Sequence, residues 1–224
     1  MSSIQLVYIN SFRSVWEYEE AFFSEKIDWK SVIGPYCPVC GGSCGYRTLT
    51  EYYRKVAELW PPREGMVPVA RFQCRGAHIG RTFSMLPFQL IPYHLHTVET
   101  ILKALLLWRE YCRDADCSGT SYEVEQSLPV QSRVTSWQLR KWLAVIRRGF
   151  LAAHGELCVR YNFESVFREE GTAGNLETVH GYTVAFSRGP PIRMWAVMTA
   201  LHIYGQITGR FLFGCSSQGR RRVR

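Results

Sequence analysis

Two short pairs of metal-ligating residues constrain the fold of this chain more than any other feature. Cys37 and Cys40 are separated by two residues and followed by two glycines, and Cys74 and His78 are separated by three residues on a second glycine turn. Thiolate and imidazole groups are the ligands that tetrahedral zinc prefers, and two pairs on tight loops can bind one ion. The sequence therefore predicts one structural Zn2+ ion bound by Cys37, Cys40, Cys74 and His78.

Cys44 is the alternative fourth ligand. It follows Cys40 by four residues, so it can replace His78 if the first turn is irregular. The chain between the pairs is long, since 33 residues separate Cys40 from Cys74, against roughly 15–20 in comparable sites. A long hairpin accommodates that excess. The other cysteines show no such pairing and are expected to be small buried side chains; they are Cys112, Cys117, Cys158 and Cys215.

The composition predicts a globular protein and is compatible with a polyanionic partner. The 224 residues are 46% hydrophobic and 21% charged, and the formal charge of +8 suits a nucleic-acid partner as well as a soluble basic protein without one. The first residues lack the basic and apolar segments of a signal peptide, and the longest apolar run, 104–108, is too short to span a bilayer. We therefore expect no membrane association and a cytoplasmic, nucleoid-associated prokaryotic protein. In such reducing surroundings paired cysteines bind metal rather than form disulfides.

Residues 34–88 have the pattern of a zinc ribbon. Aromatic and β-branched residues over 46–56 and alternating apolar residues over 66–73 predict two strands of a hairpin. Residues 81–84 predict a further extended segment that leaves the second metal-binding turn. Such strands crossing above the metal are what a ribbon requires.

The two ends of the chain are predicted to form separate segments. Residues 1–33 are a lead segment with one helix, and residues 150–224 are a helical C-terminal domain with a basic tail. Within that domain, glycines predict a loop over 171–174 and β-branched residues predict an extended segment over 178–186. The apolar helix predicted over 192–207 suits contact with a second copy of the chain or with a protein partner.

Residues 89–149 have the pattern of a helix-turn-helix domain. A helix over 97–111 with a threonine cap forms its first part. A short helix over 121–128 and a tight turn then lead to a second helix that begins at Thr135 or Ser136. A short helix, a tight connection and a second helix are typical of helix-turn-helix proteins.

A helical wheel divides the last of these helices into a core side and a basic side. The core side carries apolar residues at the i, i+3, i+4, i+7 spacing, and five cations with no acid occupy 133–148. These features favour insertion into the major groove of double-stranded DNA. Residues expected to read bases are Ser136, Trp137, Gln138, Arg140 and Lys141. Residues expected to support the helix start or contact phosphate are Arg133, Thr135, Arg147 and Arg148, with Arg71 and Arg81 of the ribbon extending the contact surface.

Several segments resemble known proteins. The segments Cys37-Pro-Val-Cys-Gly-Gly42, Val67-Pro-Val-Ala-Arg-Phe-Gln-Cys74 and Gly80-Arg-Thr-Phe-Ser-Met-Leu-Pro87 resemble the zinc ribbon of insertion-sequence transposases. With Leu90-Ile-Pro-Tyr93 and Ser136-Trp-Gln-Leu-Arg-Lys-Trp142, they are similar to a family of short transposase-like proteins that combine a zinc ribbon with a helix-turn-helix. The resemblance covers residues 34–148 and implies DNA binding at mobile-element sequences. The second metal-binding pair departs from that family, in which it is usually Cys-x2-Cys.

The sequence shows no recognisable catalytic arrangement, and we expect no enzyme. A complete transposase of this type carries three spaced carboxylates that hold two metal ions, whereas every acid after residue 148 is a glutamate: Glu156, Glu164, Glu169, Glu170 and Glu177. The predicted fold class is α+β, mostly α, with a zinc ribbon, a helix-turn-helix and a helical C-terminal domain. The predicted function is sequence-specific binding of double-stranded DNA as a regulator, targeting or accessory factor of a mobile element. The alternative is an RNA- or protein-binding subunit of a larger nucleoprotein machine.

Overall fold

The protein is α+β with more helix than strand, as the sequence predicts. The computed structural model describes residues 5–9, 11–76, 80–114, 119–129, 132–161, 171–208 and 211–213. This part of the chain contains seven α-helices and one four-stranded mixed sheet. Its residues divide into two compact units, the first within 5–56 and 64–95 and the second within 57–63 and 96–213.

The sheet consists of β1 (Gln5–Ile9), β2 (Tyr46–Leu59), β3 (Pro62–Cys74) and β4 (Thr82–Pro87). Its strand order is β1-β4-β3-β2. β1 pairs with β4 in parallel, and β3 pairs with β4 antiparallel. The strands predicted over 46–56 and 66–73 are confirmed. Both are longer than predicted, because the hairpin continues to the tight turn at Trp60-Pro61.

Two short helices complete the first unit. Ser14 caps α1 (Val15–Phe23) and Asp28 caps α2 (Trp29–Ile33), each by accepting a backbone N–H of the first turn. Trp29 packs against Phe72 of β3, with ring centroids 5.3 Å apart, and Phe72 stacks on Phe83 of β4. The same apolar cluster includes Cys37 and Cys74. One side of the candidate metal site is therefore part of the core.

The second unit begins with three helices: α3 (Val98–Arg113), α4 (Ser121–Ser127) and α5 (Ser136–Tyr161). Thr97 caps α3, and Thr120 with Glu123 forms a capping box at the start of α4. α4 packs against α3 and α5. The helices predicted here are confirmed. α5 is longer than the predicted end near residue 148, because buried residues continue along it at Phe150, Ala153 and Leu157.

The C-terminal part of the second unit contains α6 (Gly171–Ser187) and α7 (Met194–Thr208). The loop predicted over 171–174 and the extended segment predicted over 178–186 are wrong, since both ranges belong to α6. The buried hydroxyls of Thr178 and Thr183 donate to carbonyls four residues earlier, at 2.9 and 2.7 Å. These β-branched residues are thereby satisfied inside a helix. The helix predicted over 192–207 is confirmed as α7.

A largely buried ion pair joins α3 to α6. The side chain of Arg109 is only 7% exposed, and its Nε donates to Glu177 Oε1 at 2.8 Å. Its Nη1 also donates to Glu110 Oε1 at 2.9 Å, but the side chain of Glu110 is 66% exposed. Glu177 is therefore the partner that compensates the buried charge. Among the described residues, none of the helices combines the length and apolar composition needed to cross a bilayer.

Candidate metal centre and basic helix face

Four cysteine thiols converge in the first unit. Three come from the loop between α2 and β2, and the fourth is the last residue of β3. One ligand atom from each, the sulfur, lies within 4.8 Å of all the others. We refer to this group, Cys37, Cys40, Cys44 and Cys74, as the cysteine cluster. Such a group can hold a metal ion.

Short backbone hydrogen bonds fold the loop that carries three of these thiols. The Cys37 N–H donates to the Gly42 carbonyl at 2.9 Å, and the Gly41 N–H donates to the Cys37 carbonyl at 2.8 Å. Gly41 has φ +72°, a left-handed conformation that a residue with a Cβ rarely adopts. The Arg75 N–H donates to the Gly45 carbonyl at 3.3 Å, which holds the end of β3 against the loop. The glycines after the first pair therefore shape the site.

The sulfur separations fit one tetrahedral ion. The sulfur of Cys74 lies 3.6 Å from that of Cys40 and 3.7 Å from that of Cys44. Four sulfurs at a metal distance of about 2.3 Å would be about 3.8 Å apart at the corners of a tetrahedron. The sulfurs of Cys40 and Cys44 are 3.2 Å apart, far longer than a disulfide bond, and all four thiols are free. The sulfur of Cys37, within 4.8 Å of the other three, completes the set of four.

Hydrogen bonds between the thiols shift the pKa values of Cys40 and Cys44 in opposite directions. A hydrogen bond from the Gly42 backbone, helped by one from Cys44, lowers the pKa of Cys40 to about 7. The hydrogen bond to Cys40 raises the pKa of Cys44 to about 12. Burial raises the pKa of Cys37. A divalent ion bound by all four sulfurs would take over from these protons, so its binding would release them.

Gly76 leaves the space that Cys44 occupies. A Cβ built on Gly76 would lie 2.6 Å from both Cβ and Sγ of Cys44 and 3.5 Å from the sulfur of Cys40. The Gly76 N–H also donates to the sulfur of Cys74 at 3.3 Å. Outer hydrogen bonds of this kind orient ligands and tune a metal site. Gly76 is a supporting residue that the sequence pattern alone does not single out.

The structure brings together three of the four predicted ligands and the alternative fourth ligand. Cys37, Cys40 and Cys74 are members of the cysteine cluster, as predicted, and Cys44 joins them. His78 lies outside the described residues. Cys44 was marked in the sequence by its spacing from Cys40, but that spacing does not reveal how close it comes to β3.

The two arginines of the first unit that are predicted to contact DNA lie on or beside β3 and β4. Arg71 is on β3 and is half-buried. Arg81 is exposed, and its carbonyl accepts the Cys74 N–H at 3.1 Å. Arg81 is thus tied by its backbone to a residue of the cysteine cluster, while its side chain remains accessible.

The two sides predicted for α5 are confirmed. The residues assigned to the core side are at most 5% exposed: Leu139, Trp142, Leu143 and Ile146. On the opposite side Trp137, Arg140, Lys141 and Arg148 are exposed, while Arg147 is half-buried. Lys141 Nζ lies 3.6 Å from the centroid of the Trp137 ring, in cation–π geometry. α5 therefore presents a cationic, partly aromatic surface next to a buried stripe.

The start of α5 is firmly capped. The Gln138 N–H donates to Thr135 Oγ1 at 3.3 Å, and the Thr135 N–H donates to Gln138 Oε1 at 2.9 Å. The Ser136 N–H donates to Glu125 Oε2 of α4 at 2.6 Å. Arg133, in the preceding connection, is exposed and has φ +54°. The backbone N–H groups of Thr135, Ser136 and Gln138 are therefore satisfied within the protein.

Comparison with known proteins adds no assignment. The chain has no significant match among models of protein families, among curated proteins or among solved structures. Inferences about function therefore rest on the geometry of the cysteine cluster and of α5, together with the resemblance in the sequence.

Proposed function

We propose that this protein is a zinc-stabilised, sequence-specific binder of double-stranded DNA, acting as a regulator, targeting or accessory factor of a mobile element. The observation that carries the proposal is the exposed cationic side of α5, backed by a fully buried apolar stripe. A helix in the major groove needs both: one side fixed to its domain and one free to meet base edges and phosphates.

The packing of α3, α4 and α5 supports a helix-turn-helix interpretation. α4 contacts both other helices, and α3 also contacts α5. The hydrogen bond from the Ser136 N–H to Glu125 ties the first turn of α5 to α4. An orientation held from two sides suits a recognition helix, because base contacts tolerate little displacement of the helix start.

The side chains proposed to read bases lie in the first two turns of α5. Arg140 is exposed, and its guanidinium Nε donates to the Ser136 carbonyl at 3.3 Å, which leaves the other guanidinium nitrogens to meet a base. Arginine is the commonest specific reader of guanine, through two parallel hydrogen bonds. Trp137 and Lys141 form one cation–π pair. That pair would present a flat apolar face and a charge to the groove together.

Arg133, Arg147 and Arg148 are proposed to contact phosphate, and the exposed Arg148 is the clearest case to test. The logarithm of the binding constant falls linearly with the logarithm of the salt concentration. Each phosphate that a cation neutralises makes this slope steeper by about 0.9. Arg71 and Arg81 would add phosphate contacts from the first unit. These contacts set affinity and register, not base preference.

Zinc is the ion we propose for the cysteine cluster. Four thiolates in a tetrahedron form the ligand set of structural zinc sites, and they leave no open position for a substrate. The ion would link the loop between α2 and β2 to the end of β3. Its binding energy would thus contribute to the folding of the first unit, without taking part in any reaction.

A protein partner or a second copy of the chain is proposed to bind α7. Of its described residues, three large apolar side chains are exposed at four- or eight-residue spacing: Trp195, Ile203 and Ile207. Residues so spaced lie on one side of a helix. Pseudo-symmetric DNA sites commonly bind dimers, and this stripe would supply the dimer contact.

The proposed association with a mobile element rests on the resemblance over residues 34–148, and a cytoplasmic, nucleoid-associated location is proposed with it.

Equilibrium binding tests the proposal. Fluorescence anisotropy would compare full-length protein on random-sequence duplex, on the end sequences of the mobile element nearest its gene, and on structured RNA of equal length. We expect tightest binding to the element ends. Arg148→Ala should reduce the salt slope by about 0.9, whereas Arg188→Ala, an exposed arginine of the second unit outside α5, should leave it unchanged. Tighter binding to RNA, or equal slopes in both variants, would contradict the proposal.

A further inference from the structure

A small cavity lies in the first unit, between the end of α1, the start of α2 and β2. Its volume is about 430 Å³, within the range of roughly 300–1,000 Å³ that is usual for ligand pockets. Four aromatic side chains line it: Phe22, Phe23, Trp29 and Tyr53. We refer to it as the aromatic cavity. The residues that line it belong neither to the cysteine cluster nor to the set proposed to contact DNA.

The local structure fixes two walls of the aromatic cavity. α1 ends in a turn in which the Glu25 N–H donates to the Phe22 carbonyl at 3.1 Å. Glu25 has φ +54°, a left-handed conformation in which helices commonly end. On the other side Trp29 is the first residue of α2, and its ring packs against Phe72 of the core. The cavity is therefore bordered by a terminated helix and by a ring anchored in the core.

The aromatic rings are crossed rather than uniformly stacked. The planes of Phe22 and Phe23 meet at 81° with centroids 5.9 Å apart, and those of Phe22 and Trp29 at 69° with centroids 6.0 Å apart. The rings of Phe23 and Tyr53 are nearly parallel, and these side chains are 58% and 46% exposed, so a ligand can reach both. Rings in several orientations suit a rounded cation, which the negative faces of aromatic rings attract.

The aromatic cavity is negatively charged although the protein as a whole is basic. Glu25 and Glu51 also line it, and the Tyr53 hydroxyl donates to Glu51 Oε1 at 3.5 Å, so this carboxylate lies beside one of the rings. Within the described part of the chain, no lysine or arginine forms an ion pair with either carboxylate. Residues 14–25 contain four acids and no lysine or arginine, against a formal charge of +8 for the whole chain. The local field therefore favours a cation.

The C-terminal end of α1 adds to this field. α1 ends at Phe23, and its last turn contains no basic residue. The last carbonyls of a helix carry a partial negative charge, which stabilises a nearby cation. The ring faces, the two carboxylates and the helix end therefore all select a ligand of positive charge.

We propose that the aromatic cavity binds a methylated ammonium group, such as the head group of choline. The rings contact its methyl groups, and the carboxylates of Glu25 and Glu51 attract its charge. An unmethylated ammonium is strongly hydrated and has N–H donors that ring faces pair poorly, whereas a quaternary ammonium has no N–H to leave unpaired. A free quaternary amine and a trimethylated lysine side chain share this chemistry. The inference does not depend on the proposed binding of DNA.

Titration of full-length, nitrogen-labelled protein tests the inference. Choline chloride is added at constant ionic strength, and the indole N–H signal of Trp29 is followed by nuclear magnetic resonance. The matched ligand is the uncharged isostere of choline, in which a tert-butyl group replaces the trimethylammonium group. We expect choline to shift the signal saturably with a dissociation constant of roughly 1 mM, and the isostere to bind about fivefold more weakly. Equal binding of both ligands, or no saturable shift with choline, would overturn the inference.

A parallel titration identifies the source of the head group. The N-acetylated amide of trimethyllysine carries the same charge and methyl groups on a protein side chain. Tighter binding than choline assigns the aromatic cavity to methylated lysine, and weaker binding assigns it to a free quaternary amine. Both results support recognition of a methylated ammonium, provided that the uncharged isostere binds more weakly.

Two variants assign the effect to a ring of the aromatic cavity. Tyr53→Leu removes an exposed ring that lines it and should weaken choline binding about 2- to 30-fold, with little change for the uncharged isostere. Tyr52→Leu removes the adjacent exposed tyrosine of β2, which is not among the residues lining the cavity, and should leave choline binding unchanged. Equal weakening in both variants would contradict the assignment. The comparison of the two ligands uses the natural protein, so it decides the inference even if a variant does not fold.

Discussion

Replacing Gly76 by alanine should weaken metal binding although all four cysteines are retained. The added Cβ would lie 2.6 Å from Cβ and Sγ of Cys44, whereas carbon contacts are normally about 3.5–4.0 Å. An overlap of about 1 Å must be relieved by a shift of Cys44 or of the Gly76 backbone, whose N–H donates to the Cys74 sulfur, and either shift disturbs the cysteine cluster. The Cβ of Cys44 belongs to the backbone frame and cannot rotate away.

The expected magnitude follows from the cost of such overlaps. Inserting a methyl group into a packed site typically costs about 1–3 kcal/mol, which corresponds to a roughly 5- to 150-fold rise in the dissociation constant for zinc. Gly42→Ala is the matched control. A Cβ on Gly42 would lie 3.7 Å from the sulfur of Cys40, an ordinary contact, and neither glycine has a positive φ.

Competition with a chromophoric zinc chelator at fixed pH measures both variants. Gly76→Ala should bind zinc more weakly than wild type, and Gly42→Ala should match wild type within about twofold. If Gly76→Ala also matches wild type, Cys44 does not lie beside Gly76 as a member of the cysteine cluster.

Three further predictions concern the ligand set, base reading and the buried ion pair. Cys44→Ser should abolish stoichiometric zinc by elemental analysis while His78→Ala retains it; the reverse result would make His78 the fourth ligand. Arg140→Ala should relax base preference at one position, with a loss of about 1–3 kcal/mol on the preferred duplex; an equal loss on every sequence would make it a phosphate contact. Glu177→Gln should lower the free energy of unfolding by roughly 1–3 kcal/mol, since it leaves the buried guanidinium of Arg109 poorly compensated. Glu110→Gln should lower it by much less, and equal losses in urea denaturation would contradict the assignment of Glu177 as the compensating partner.

Local spacing predicts the parts of this fold that depend on neighbouring residues. The threonine cap at Thr97, the hairpin of β2 and β3 and the buried stripe of α5 all have signals within one or two turns or along one strand. These were predicted because capping and amphipathic alternation are local physical effects. α6 was not, because Thr178 and Thr183 favour strands intrinsically, while packing against α3, α5 and α7 decides their conformation.

In the candidate metal site, too, some features have local sequence signals and others depend on tertiary structure. Two residues between Cys37 and Cys40 suffice to predict a metal-binding turn. The approach of Cys44 depends on three-dimensional detail: the turn at Gly41 and the missing side chain at Gly76, which a sequence expresses only as two glycines.

Selection from a random duplex library tests whether α5 reads the sequence of double-stranded DNA. Zinc-loaded full-length protein is mixed with the library, bound DNA is recovered, and the recovered pool is sequenced. If α5 reads bases, we expect an enriched motif of defined length, and with Arg140→Ala the preference at one or more of its positions should be lost. Recovery of DNA without any enriched motif, or a motif that Arg140→Ala leaves intact, would contradict it.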